Sequence, residues 1–149
     1  SQNDKWALRN IKLRMARKWL FLAGVLTMFT CDSPNIVGKN SGNSKEVALE
    51  ILTESASLTP ADIIARSLSA LDMEDEAKKL FDVYDRYLEK LDNPALRAYL
   101  RKLTTQAARR DRHFKEFKEL GRSFQDSLKD IFFERNEALS KSTKEYGVF

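Results

Sequence analysis

A chain of 149 residues is long enough to bury one sizeable core but not two. Its composition is 42% hydrophobic and 32% charged with only 5 Gly and 3 Pro, which excludes a collagen-like or low-complexity chain and argues against a turn-rich β sandwich. The single cysteine and single histidine exclude a disulfide framework, a cysteine-based zinc site and a His-rich metal centre. We therefore expect one helical domain over residues 1–149. Since the chain enters a helical pattern directly after Ser1, we expect it to be part of a longer protein.

The first predicted element is a helix over residues 4–30. Basic residues from Met15 precede an uncharged run that ends at Cys31, a pattern that resembles a secretory signal. Fourteen residues precede Met15, however, and thirteen residues of helix span only about 20 Å of a ~30 Å hydrocarbon layer. Apolar residues instead recur every three or four positions: Leu8, Ile11, Met15, Trp19, Leu22, Leu26 and Phe29. Because no charged face remains beyond Lys18, we expect protein on nearly every side of the second half. We also expect a cytoplasmic location.

The middle of the chain predicts one loop and several short helices. Residues 32–43 concentrate Pro, Gly, Asn and Ser and predict a long loop. Ser44 is the predicted N-cap of the next helix. The run 59–62, Thr-Pro-Ala-Asp, is typical of a helix start, and Asp72 is the predicted N-cap of an acidic first turn. The apolar positions of the first of these helices are Val47, Leu49, Ile51 and Leu52.

Residues 94–146 hold the strongest periodicity. Spacings of four and three alternate through Leu96, Leu100, Leu103, Ala107, Arg110, Phe114, Phe117, Gly121, Phe124, Leu128 and Ile131. This pattern is typical of a helix that packs along a coiled-coil-like seam. Because Arg110 and Gly121 interrupt it, we predict one long helix, or two with a bend near either residue. The fold class is all-α, a compact bundle of about five or six helices.

Charge is unevenly distributed along the chain. Residues 1–31 carry six basic and one acidic side chain, residues 32–93 carry seven and thirteen, and residues 94–149 carry thirteen and eight. The simplest interpretation is that these segments complement one another within the fold. A candidate partner- or anion-binding surface, here called the basic stripe, consists of Arg97, Arg101, Arg112, Lys115, Lys118 and Arg122, which share one side of an ideal helix. Binding of nucleic acid by the stripe is one alternative, and membrane binding by the first helix is a weaker one.

No set of residues predicts catalysis. His113 has Arg110 and Glu116 as helical neighbours, which favours a salt-bridged or solvated imidazole over a ligand or base. Cys31 ends the most apolar run, which favours an inert thiol over a nucleophile. We expect no metal, no cofactor and no enzymatic activity of this domain.

We expect a non-catalytic interaction or assembly domain, because the seamed helices carry aromatics predicted to be exposed: Tyr87, Tyr99, Phe132 and Phe133. Phe132 and Phe133 are the candidate interface aromatics, since adjacent helical positions point about 100° apart and one seam cannot bury both. The expected partner is protein, either a second copy or another domain of the parent. The seven residues 8–14 resemble helical tails that follow nucleotidyltransferase-like modules in bacterial multidomain proteins. That resemblance implies an alternative, an accessory domain that positions substrate for a catalytic module.

Overall fold

The computed structural model describes residues 5–39, 42–134 and 136–146. Residue 4 of the first predicted helix and residues 40 and 41 of the predicted loop lie outside these ranges. No strand occurs in the described residues, so the all-α prediction is confirmed. They form eight α-helices: α1 (Trp6–Asp32), α2 (Ser44–Ala56), α3 (Pro60–Ala70), α4 (Glu74–Asp92), α5 (Pro94–Lys102), α6 (Thr105–Arg110), α7 (Arg112–Lys129) and α8 (Glu137–Tyr146). A 3₁₀ turn, Pro34–Val37, follows α1, and a π-helical segment, Asp130–Glu134, follows α7.

The helices pack as two compact units, and each unit is built from two separate stretches of chain. Unit 1 comprises the described residues of 1–17 and 79–128, and unit 2 those of 18–78 and 129–149. The three unit boundaries fall inside helices: after Arg17 in α1, after Lys78 in α4 and after Leu128 in α7.

The core of unit 1 brings the start of α1 against α4 and α7. The Trp6 and Phe114 rings lie 5.7 Å apart, and Tyr87 meets Phe117 edge-on at 5.6 Å. The buried Tyr87 hydroxyl donates a hydrogen bond of 3.2 Å to the Ile11 carbonyl, so its one polar atom is satisfied inside the core. The backbone N–H of Lys5 donates to the Arg101 carbonyl at 3.0 Å, which ties the start of α1 to α5.

The core of unit 2 forms around the second half of α1. Its fully buried side chains include Leu22, Leu26, Ile64, Leu68, Ile131, Phe132 and Leu139. Each such side chain contributes about 1.5–3 kcal/mol relative to exposure. At the surface of this unit, the Lys39 ammonium pairs with Glu50 at 2.6 Å and Glu54 at 2.8 Å and so holds the end of the 3₁₀ turn against α2.

Capping residues set most helix boundaries. Thr59 caps α3 in a complete capping box with Asp62, as the sequence suggested. The N-cap of α2 is Asn43, whose side chain accepts from the Lys45 N–H, and not Ser44, which is already helical. Asp72 was also predicted wrongly: it has φ 57° and ends the turn after α3 instead of capping α4. Aspartate is among the few residues with a side chain that tolerate this left-handed conformation.

Residues 94–146 form four α-helices where the sequence suggested one or two. The described breaks lie at Leu103–Thr104, at Asp111 and at Asn136, directly before α8. Asp111 has an extended backbone (φ −67°, ψ 137°), so one break falls beside Arg110, whereas Gly121 lies inside α7. Each break shifts the helical phase. The predicted seam position Ala107 is therefore exposed, and its neighbour Ala108 is buried.

The second half of α1 departs from expectation, because it is buried on one side only. Trp19, Leu22, Ala23, Leu26 and Phe29 are buried. On the opposite side Leu20 is 60% exposed and Met28 is 67% exposed, with Phe21 also exposed. The absence of charge after Lys18 therefore does not reflect burial all round within this chain.

Candidate interaction surfaces

The residues of the basic stripe lie on two helices separated by α6. Arg97 and Arg101 belong to α5, and the other four belong to α7: Arg112, Lys115, Lys118 and Arg122. The prediction placed all six residues on one ideal helix with a rotation of 100° per residue. The backbone leaves the helical conformation at Leu103 and again at Asp111, so α5 and α7 do not share one helical rotation. The four residues on α7 remain exposed on one helix, with Arg122 three turns from Arg112.

Arg97 differs from the rest of the stripe because it is half-buried. It lines a shallow depression in unit 1 together with Lys12, Glu89 and Asp92. Its Nε is buried and has no hydrogen-bond partner among the residues that the structure describes. Two acidic side chains around a half-buried guanidinium favour a local role for Arg97 over contact with an extended phosphate backbone.

Glu116 on α7 joins three basic side chains. Its carboxylate accepts from Lys90 Nζ at 2.5 Å and from Arg112 Nε at 3.0 Å, and His113 Nδ1 lies 3.7 Å away. The hydrogen bond from Lys90, with a smaller contribution from Arg112, lowers the pKa of Glu116 below its usual range. Arg112, the first α7 residue of the stripe, is therefore paired within the protein.

His113 lies between the Tyr99 ring and the Glu116 carboxylate. Its ring stands edge-on to Tyr99 at 5.7 Å, and the Tyr99 hydroxyl donates to Asp111 at 2.5 Å. This bond to a carboxylate raises the pKa of Tyr99. Asp111 also accepts from the Phe114 N–H at 2.8 Å and so caps α7. These contacts hold the start of α7 in place: the Asp111 carboxylate caps the helix, and the Glu116 carboxylate forms ion pairs.

Cys31 is half-buried near the end of α1, where its thiol points at the Ala48 carbonyl with Sγ 3.8 Å from the oxygen. Burial raises the pKa of this thiol, which reduces the thiolate fraction needed for nucleophilic attack. In the described part of the chain, no group of three or more His, Cys, Asp or Glu side chains could hold a metal ion. None of the described helices combines the length and the apolar character required to cross a membrane.

The four aromatics predicted to be exposed divide into two pairs. Tyr87 and Phe132 are buried, so their predicted exposure was wrong. Tyr99 and Phe133 are exposed, although Tyr99 is engaged by Asp111. Phe132 is 1% exposed and Phe133 is 39% exposed, a difference that follows from their adjacent positions in the π-helical segment.

A surface that the sequence did not reveal lies on α1 and is here called the α1 apolar face: Leu20, Phe21, Gly24 and Met28. On an ideal helix these four residues fall within a sector of about 100°. A Cβ added at Gly24 would meet nothing within 4 Å, so the surface is open at its centre. The side chains of Leu49 and Leu52 on α2 are also exposed, and α2 approaches the end of α1 at Ala48. The signal was present in the sequence as an uncharged run too wide for one buried stripe.

Comparison with known proteins gives no relative for this chain: no protein-family model, no curated protein and no solved structure matches it.

Proposed function

We propose that this chain is a non-catalytic helical interaction domain whose docking surface is the α1 apolar face. The observation that carries the proposal is the exposure of Leu20 and Met28 in the middle of an uncharged helical run. Single exposed apolar side chains are ordinary on protein surfaces, but several large ones on one helix face are typical of a surface that a partner covers, and Leu49 and Leu52 on α2 are exposed as well.

The chemistry of the remaining surface supports the same function. Glu116 and Asp111 are occupied in ion pairing and helix capping, and the thiol of Cys31 is directed at a backbone carbonyl. These contacts stabilise helices and leave no pair of groups poised for proton transfer or nucleophilic attack among the residues considered.

The test is sedimentation of the pure protein between roughly 10 and 300 µM, a range that covers weak interfaces. We expect concentration-dependent association that the double substitution Leu20→Gln with Met28→Gln weakens at least about tenfold. Leu88→Gln is the matched control, because Leu88 is an exposed leucine on α4 and not on this face. Equal association of all three proteins would refute the role of the α1 apolar face.

Nucleic-acid binding by the basic stripe is the competing function, and a titration with duplex and single-stranded DNA at about 150 mM salt separates the two. We expect negligible affinity. Tight binding with a steep salt dependence, lost in Arg112→Glu with Lys115→Glu, would replace the proposed function. A monomer that binds no nucleic acid would favour the accessory, substrate-positioning role.

A further inference from the structure

The centre of the α1 apolar face is a glycine, Gly24, and no close contact with the described residues requires its lack of a side chain. Gly24 lies in the interior of a 27-residue helix, where glycine costs about 0.5–1 kcal/mol relative to alanine. Apart from its chain neighbours and its own helix backbone, no atom of the described residues comes within 4 Å of the position that its Cβ would take. The missing side chain therefore relieves no contact within the chain, but it does let the backbone of another helix come close between Leu20 and Met28.

The charges at the two ends of this face have opposite sign. Arg17 lies about 10 Å before Gly24 along the same continuous helix, and Asp32 lies about 12 Å after it, at a rise of 1.5 Å per residue. Both side chains are exposed, and both lie within or beside the sector of the apolar face. The carbonyl groups of the last turn add partial negative charge near Asp32.

We propose that the partner of the α1 apolar face is a second copy of this chain, paired with α1 antiparallel to its counterpart about a two-fold axis at Gly24. This inference rests on the proposed function and specifies its partner. In this pairing Leu20 packs beside Met28 of the other copy, and the apolar face covers itself. Arg17 then meets Asp32 of the other copy at nearly the same height, and the symmetry produces that contact twice.

Charge complementarity selects this arrangement over the alternatives. A parallel pair would place Arg17 beside Arg17 and Asp32 beside Asp32, and both contacts are repulsive. An anionic lipid surface would attract Arg17 but repel Asp32 at the other end of the same face. Only the antiparallel self-pairing satisfies both ends, with the apolar side chains between them.

The first experiment is disulfide trapping in a Cys31→Ser background. A residue on a two-fold axis meets itself, so Gly24→Cys should form an intermolecular disulfide under mild oxidation, since two close helices bring its Cα atoms within the reach of such a bond. The control is Ala70→Cys, an exposed position on α3. We expect at least about tenfold faster dimer formation for Gly24→Cys. Equal rates would overturn the pairing.

The second experiment tests the same pairing by reversing the charges of Arg17 and Asp32, without introduced cysteines. Arg17→Asp alone and Asp32→Arg alone should each raise the dimer dissociation constant about fivefold, because each creates two repulsive contacts in the dimer. The double variant, Arg17→Asp with Asp32→Arg, should return it to within about twofold of the original. Additive loss in the double variant would overturn the antiparallel register.

The outcomes distinguish this inference from the proposed function. Suppose that Leu20→Gln with Met28→Gln disrupts the dimer, but Gly24→Cys forms no faster disulfide and the charge-reversed double variant does not restore dimerisation. The α1 apolar face would then remain the docking surface, and the antiparallel pairing would be overturned. A dimer insensitive to that double substitution would overturn both. Flotation of the wild-type protein with vesicles of phosphatidylcholine and phosphatidylserine, abolished by the same double substitution, would assign the face to a lipid surface instead and overturn the second copy as partner.

Discussion

Leu26 and Met28 lie two residues apart on α1 and meet opposite environments. Leu26 is fully buried in unit 2, whereas Met28 is 67% exposed. We expect Leu26→Asp to destabilise the protein by more than about 4 kcal/mol, because it replaces a packed side chain with an unpaired buried charge. Met28→Asp should cost less than about 1 kcal/mol. Urea unfolding at low micromolar concentration measures both, and similar losses for the two variants would show that the exposed side of α1 is covered within the monomer.

Glu116 makes stability depend on pH in a defined direction. Its folded pKa is lowered by the Lys90 hydrogen bond, so its contribution is fully present above the pKa of an ordinary glutamate, about 4.3, and is lost as pH falls through the lower folded value. The stability difference between wild type and Glu116→Gln should therefore be largest near neutral pH and shrink as pH falls below the pKa of an ordinary glutamate. Glu119→Gln, an exposed position on the same helix, is the control. A difference that grows on acidification would contradict the assignment.

At the scale of helices, Asp111 decides where the C-terminal segment divides. Its side chain accepts the Phe114 N–H, so Asp111→Ala should cost about 1–2 kcal/mol through loss of the α7 cap. Asp111→Asn preserves an acceptor and should cost less. Since Asp111 also accepts the Tyr99 hydroxyl, Tyr99→Phe isolates that second bond. Equal losses for Asp111→Ala and Asp111→Asn in thermal unfolding would show that the charge matters more than the cap.

Helices were predictable wherever an apolar stripe and a cap agreed. Thr59 caps α3 as its sequence context suggested, and its side chain accepts the expected backbone N–H group of Asp62. Periodicity alone failed in residues 94–146, because the apolar spacing continues across Thr104 and Asp111 while the backbone there turns out of the helix. Caps at both positions were readable in principle, since each supplies a short polar side chain three residues before the N–H group that it accepts.

Side-chain environment was less predictable than helix position. Tyr87 was expected at the surface, but its hydroxyl donates a hydrogen bond to the carbonyl of Ile11, 76 residues earlier in the chain. No local pattern specifies a hydrogen bond over that separation. The α1 apolar face was missed for a related reason. Periodicity identifies the buried stripe of a helix, but it does not show how many sides of that helix the protein covers.

At the scale of the whole molecule, each unit depends on segments that are distant in sequence. Unit 1 combines residues 1–17 with residues 79–128, and its core needs Ile11 and Met15 as well as Tyr87 and Phe117. We expect a fragment of residues 79–128 to be largely unfolded alone, because it lacks the α1 side chains that complete its core. Far-ultraviolet circular dichroism checks this against the full chain. A cooperative thermal transition of the fragment would show that α4 to α7 suffice.

The continuity of α1 has a consequence for the order in which the protein folds as it leaves the ribosome. The first part of α1, up to Arg17, is synthesised before α2 to α8, yet its packing partners end at residue 128. At 5–20 residues per second, the apolar stripe at the start of α1 waits roughly 5 to 20 s for the last of them. The other half of the same helix is followed directly by α2 and α3, but its core also needs Ile131, Phe132 and Leu139, which are synthesised later still. Both halves of α1 therefore lack part of their core until synthesis has reached residue 128 or passed it, and the uncovered apolar stripe is where a chaperone would bind.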